Sequence, residues 1–166
     1  MAGTIEKIGE YKMEILNELV NSDKLSKLIH YNVPDALFQP SLSEEEKQSL
    51  IYTKVFPYRF NPNPVEDQGT FLTIGVGRIK NLSGEYRTFN DYRIANIYFY
   101  LFTHMDLMRT HAGVRQDAML SEIDKIFDGK NGVGIGALAV SNVDELWIHN
   151  NKFGGYTVTL SVVDLR

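Results

Sequence analysis

The chain has no cysteine. That excludes structural disulfides, thiolate metal sites and cysteine nucleophiles, and it agrees with a cytosolic protein. No Gly-x-Ser-x-Gly elbow occurs, and no Gly-Lys-Ser/Thr, so the common nucleophile and phosphate-loop signatures are missing. Basic residues are few and scattered: 17 Lys and Arg stand against 21 Asp and Glu, for a net charge of −4. This balance argues against a protein that coats DNA or lies on an anionic membrane. The densest apolar run, residues 92–102, is too short to cross a bilayer as a helix, which takes about 20 apolar residues. Glu6, Lys7, Glu10, Lys12 and Glu14 put charge on every turn near the start, so no secretory peptide is expected. No low-complexity tract or internal repeat stands out.

What is present suits one domain. A chain of 166 residues buries about 70% of its unfolded surface and can hold a core without metal or disulfides. We read an N-terminal helical segment over about 4–51 and a sheet-and-helix core over about 52–166. The core is organised around 92–102, Tyr-Arg-Ile-Ala-Asn-Ile-Tyr-Phe-Tyr-Leu-Phe. Its β-branched and aromatic residues favour a pleated strand, with a buried helix as the alternative. Tyr92, Ile94, Tyr98, Tyr100 and Phe102 share one face; Arg93, Ala95, Ile97, Phe99 and Leu101 share the other. Two apolar faces predict a central strand, or one covered by helices on one side and a second layer or subunit on the other.

Ahead of that strand, residues 4–21 have helical spacing, with Ile5, Ile8, Ile15, Leu16, Leu19 and Val20 apolar. Ser22 and Asp23 can cap a second helix over 24–30. Ser43 with Glu46 matches a capping box before a short helix. Residues 55–64, Val-Phe-Pro-Tyr-Arg-Phe-Asn-Pro-Asn-Pro, read as an extended arm, lying on its own sheet or against another subunit. Residues 71–80 form a strand, with Gly75 and Gly77 on one face leaving room for close backbone or a bulge. Turn chemistry at 81–84 returns the chain through 85–88 as a hairpin arm, and Asn90-Asp91 marks a break.

After the long strand, 103–113 reads as a polar connector and 114–127 as a helix ended by Asp128-Gly129. Residues 133–140 form a glycine-spaced extended run, 145–149 a short strand and 150–152 a turn. Over 155–165, Tyr156, Val158, Leu160 and Val162 alternate with Thr157, Thr159 and Ser161, which is the pattern of a half-buried strand. The order gives an α+β fold. Its sheet is mainly antiparallel or mixed, helices pack on one face, and an extended hairpin arm projects.

Candidate chemistry is sparse. His104, Asp106 and His111 are residue types that bind zinc or iron. Their spacing does not put two histidines on one helical face, so ordinary loop contacts are expected. Gly132, Gly134 and Gly136 follow a helix and lead to a strand, the wrong order for a phosphate loop. Asp124 and Asp128 read as a solvated helix face, and Glu44, Glu45 and Glu46 as a helix N-terminus. Arg78, Lys80 and, across the turn, Tyr86 and Arg87 offer a small basic patch that could meet phosphates. The blander reading is a charged edge that discourages sheet-to-sheet pairing.

One arrangement is suggestive as a whole. It comprises the apolar strand 93–102, then His104-Met-Asp-Leu, and Gly113-Val-Arg-Gln-Asp opening a helix that ends in Ile-Asp-Lys-Ile-Phe-Asp-Gly129. Gly134-Ile-Gly136 follows, and the chain closes on Asn150-Asn-Lys-Phe-Gly-Gly-Tyr-Thr-Val-Thr-Leu-Ser-Val-Val-Asp164. Over 92–164 it resembles the neck proteins of tailed bacteriophages, of the tail-terminator or head–tail joining kind. The resemblance implies a non-enzymatic subunit of a ring, typically a hexamer, that ends the tail tube and joins tail to head. Its partners would be copies of itself, the tail tube or sheath protein, and the head-side connector or stopper. DNA would pass through the bore without sequence-specific binding. The protein would be assembled in the host cytoplasm and reside in the virion, with no membrane, cofactor, metal or catalytic residue. Candidate subunit contacts are Phe56, Tyr58, Phe60, Arg78, Lys80, Tyr86 and Arg87. The competing expectation is an adaptor that binds a peptide along an edge strand, with 155–163 as the free edge.

Overall fold

Local capping sets the N-terminal helices. The computed structural model of the chain describes residues 4–81, 92–131 and 137–165. Helix α1 (Thr4–Asn21) buries Ile15, Leu16, Leu19 and Val20 along one stripe. Helix α2 (Asp23–His30) starts where the Ser22 hydroxyl accepts from the Leu25 amide at 3.4 Å, and it buries Leu25, Leu28 and Ile29. Helix α3 (Glu44–Leu50) carries the expected capping box. The Ser43 amide donates to the Glu46 carboxylate at 2.7 Å, and the Glu46 amide donates back to the Ser43 hydroxyl at 3.2 Å. These two bonds satisfy amides that a helix start leaves without partners, and they hold the Glu46 carboxyl below its ordinary range.

The sheet follows. Its strands are β1 (Val55–Phe56), β2 (Thr70–Asn81), β3 (Tyr92–His104), β6 (Ala139–Ile148) and β7 (Phe153–Leu165), in the order β1-β2-β3-β7-β6. β1 runs parallel to β2, and every other pairing is antiparallel. A separate two-stranded ribbon, β4 (Arg109–Thr110) with β5 (Gly113–Val114), leads into α4 (Arg115–Phe127). The fold is α+β with a mixed sheet, and β3 is its central strand.

Helices cover one face only. Leu72, Ile74, Ala95, Ile97, Phe99, Leu101, Val158, Leu160 and Val162 point to them and are all buried. Phe99 stacks on Phe127 of α4 at 5.4 Å between centroids. This is the face that alternation along β7 marked, because side chains on a strand switch sides at each residue; β3 had read as apolar on both. The opposite face carries a smaller cluster at one end, built from Phe56, Phe71, Phe102 and Phe153.

Four expectations meet the structure: one left open is decided, one falls partly outside the described residues, and two are corrected. The arm over 55–64 lies on its own sheet: Phe60 stacks on Phe56 at 4.2 Å and meets Phe71 at 5.2 Å. The return partner of β2 is β3 itself, in the register Asn81↔Arg93. The expected return through 85–88 lies outside the described residues, as do the tip and Asn90-Asp91. Residues 139–148 form one strand with a bulge between Val140 and Asn142, where we read two separate segments. Finally, β7 pairs on both sides, so the edge of the sheet is β6. The alternation over 155–165 records a strand covered on one face, and this pattern is blind to whether its backbone is paired on one side or two.

Candidate functional site

The His104 region was the strongest chemical candidate. β3 runs on through His104, whose ring is buried edge-on against Phe153 at 5.2 Å. Its Nδ1 accepts from the Asp106 amide at 3.3 Å and lies 3.5 Å from the Asp106 carboxylate. His111 is tied elsewhere, its amide donating to the Pro34 carbonyl at 2.8 Å. His104 thus caps the short 3₁₀ turn Met105–Leu107. Among the described residues, no three His, Asp or Glu side chains gather where they could hold a metal ion. The glycines at 132–136 lie outside the described residues. Asp128 accepts from the Val140 amide at 3.1 Å, which joins the end of α4 to the start of β6.

The most buried charge is one the sequence reading passed over. Arg115, at the first turn of α4, is fully buried. Its guanidinium donates to the carbonyls of Leu107, Leu28, Tyr31 and Val33, at 2.8, 2.6, 3.0 and 2.8 Å. No carboxylate faces it in these bonds. The cation instead satisfies carbonyls at and beyond the end of α2, where the helix dipole is negative. Burial pulls this guanidinium below its ordinary pKa, though arginine stays charged in proteins. Arg115 is a structural clamp between α4 and α2.

The remaining surfaces are broad. On the open face of the sheet, Tyr98 lies over Gly77, where an added Cβ would fall 1.7 Å from the ring; Tyr100 lies against Gly75. The two rings are 6.4 Å apart. Thr73, Thr157 and Thr159 flank them by register. The glycines that left room on β2 are filled by cross-strand tyrosines.

On the helix side, α4 stops short of β6. A groove of ≈ 340 Å³ opens there, lined from α4 by Asp117, Leu120 and Asp124 and from the sheet by Val140, Val143 and Val158. The Tyr156 hydroxyl donates to Asp117 at 2.6 Å. That bond, with burial second, pushes the Tyr156 pKa up to about 12.

The predicted contact residues fall into separate patches. Phe56 is buried and Phe60 is packed against it, so the structure assigns both to the internal cluster and leaves Tyr58, 51% exposed, as the outward part of the arm. Arg78 and Lys80 are exposed at the far end of β2. Arg78 lies seven residues along the strand from Phe71, about 23 Å at the rise of a strand. Tyr86 and Arg87 lie outside the described residues.

Two backbone edges are open. β1 reaches β2 only at Leu72 and Thr73, so among the described residues no strand pairs with that side of β2 from Ile74 to Asn81. β6 has no described neighbour beyond β7. The β2 edge carries Arg78 and Lys80 and no acid; β6 carries Asp144 and Glu145 and no base. Val143 and Trp147 of β6 are 41% and 47% exposed. Asp144, Glu145 and Trp147 escaped the sequence reading because the residues around them were divided between two short segments.

No described helix is long and apolar enough to cross a membrane. No curated protein matches the chain. The sequence model of YomW, a phage-derived family, matches residues 22–162. These span α2 through most of β7, including both open edges, and the chain belongs to the YomW family.

Proposed function

We propose that this chain is the repeating subunit of a non-catalytic ring in the neck of a phage virion. The ring ends the tail tube and joins the tail to the head-side connector or stopper. One observation carries the reading: among the described residues, β2 beyond its short pairing with β1 and the outer side of β6 are two unpaired edges of different chemistry. A closed head-to-tail ring needs two unlike, complementary faces on every subunit. The phage origin of the family is consistent with a virion role. The net charge of −4 suits a bore that DNA traverses without being gripped, since sequence-independent affinity comes from cations on phosphates. In this reading the protein is made in the host cytoplasm, functions in the virion and uses no cofactor.

The test is electron microscopy of particles made by a phage lacking this gene. The expected result is unjoined heads and tails of uncontrolled length. Joined particles with tails of normal length would overturn the proposal.

The open edge of β6 also favours a second reading, an adaptor that takes a partner peptide as an added strand. A monomer whose β6 amides become protected only when a partner peptide is added would select it.

A further inference from the structure

The two open edges differ in more than position. β2 from Ile74 onward presents Arg78 and Lys80, both exposed. The regular part of β6 after its bulge, residues 143–148, presents Asp144 and Glu145, both exposed. Among the described residues neither basic side chain forms an ion pair or hydrogen bond. Of the two acids, only Asp144 has such a partner, accepting from the Asn142 amide group at 2.6 Å.

A charge on an edge strand is ordinarily a device against pairing. That works on every approach only if both edges carry the same sign. Here the signs are opposite. Like edges repel, so β2 is kept from β2 and β6 from β6. The unlike approach is attractive. Paired strands lie about 4.8 Å apart, well inside the roughly 8 Å screening length of physiological salt.

The β6 edge also has apolar area to lose. Val143 and Trp147 stand half out of the protein, and a large exposed aromatic is a usual anchor of a contact surface. On the β2 side, Val76 and Ile79 are half-buried.

We infer that the occupant of the β6 edge is a second copy of this chain, which adds the Ile74–Asn81 edge of its β2 to β6 of its neighbour. In the continued sheet Lys80 and Asp144 share the face away from the helices, with Arg78 beside them at the β2 bulge between Val76 and Ile79, while Glu145 adds its charge from the helix side. The contact is heterologous, so every subunit keeps one unused edge until the ring closes. The inference deepens the ring reading above and rests on it.

The lack of cysteine makes the test clean. Two single variants, Lys80→Cys and Asp144→Cys, and the double variant are oxidised alone and on tail tubes. They are then run on denaturing gels, with native mass measured in parallel. The double variant is expected to give a covalent ladder ending at the ring size. Each single variant alone is expected to stay monomeric on the gel, and their equimolar mixture to give a covalent dimer and nothing larger.

Single variants that each cross-link to themselves mean that like edges meet, and they overturn the inference. A double variant that has the native mass of a ring but no cross-link overturns the edge pairing and leaves the ring standing. A double variant that is monomeric and uncross-linked, alone and on tubes, overturns both if the unsubstituted chain is monomeric as well; if the unsubstituted chain forms the ring, loss of the ring on removing Lys80 and Asp144 supports the contact.

Discussion

At the scale of single residues, Arg115 matters most. Four carbonyls depend on one buried guanidinium. Each buried acceptor left unsatisfied costs about 1–3 kcal/mol, so Arg115→Met should lose on the order of 3 kcal/mol or more in denaturant unfolding. A loss under about 1 kcal/mol would show that water replaces the guanidinium without penalty. Arg115→Lys should recover only part, because an ammonium cannot span the same fork of acceptors. None of this was visible in the sequence, where Arg115 reads as an ordinary first-turn arginine. Three of its four partners lie more than 80 residues away, and periodicity carries no such information. The Ser43–Glu46 box was legible because both partners sit within one helical turn.

The Tyr156–Asp117 bond makes a prediction of definite sign. The hydroxyl ionises near 10 when unperturbed and near 12 in the folded chain. A group with a raised folded pKa stabilises the fold fully below its unfolded pKa and loses that contribution as pH rises through the folded value. Stability should therefore fall between pH 10 and 12 more steeply in the native protein than in Tyr156→Phe. Denaturation midpoints on either side of that window measure the difference. Equal slopes would contradict the assignment.

At the scale of elements, two glycines test how the sheet is built. A Cβ on Gly155 would lie 1.9 Å from the Leu101 carbonyl oxygen, which is backbone of the paired strand. Backbone in the middle of a sheet cannot step aside, so Gly155→Ala should cost about 3 kcal/mol or prevent folding. A Cβ on Gly77 meets only the outer atoms of the Tyr98 ring, which can swing away. Gly77→Ala should be the milder change, and thermal unfolding of the two variants checks the order. If Gly77→Ala is the more damaging, Tyr98 is fixed by something more than this contact.

Elements were legible wherever one face is buried. The alternation in β7 and the stripe of α1 follow directly from burial, and the two apolar faces of β3 marked it as central. Strand adjacency was not legible, because side-chain pattern does not report backbone pairing. That is why β7 passed for an edge and β6 was split. Hydrogen exchange on the monomer should now show slow amides along β7 and fast alternate amides along 143–148 of β6. Slow exchange along all of β6 in a confirmed monomer would mean that its edge is already covered.

At the scale of the whole molecule, the chain combines a helix-covered core with a sheet that, among the described residues, leaves β6 and most of β2 unpaired on their outer sides. Its charge is divided between those two sides. The candidate contacts over 55–64 looked like an arm because aromatic residues between prolines are equally suited to a neighbour's surface and to the chain's own; Phe56 and Phe60 chose their own. Arg78 and Lys80 were the exposed charges of the candidate surface that the sequence revealed, and the acidic edge of β6 became visible only once the strand order was known.

The central claim is that these subunits close head to tail. Native mass spectrometry of the full chain over a concentration series, alone and with tail tubes, tests it most directly. The account predicts one closed species of a fixed number of subunits, expected to be six, with free subunit beside it and no open-ended series of sizes. A chain that stays monomeric at every concentration, with tubes present as well as absent, would contradict it.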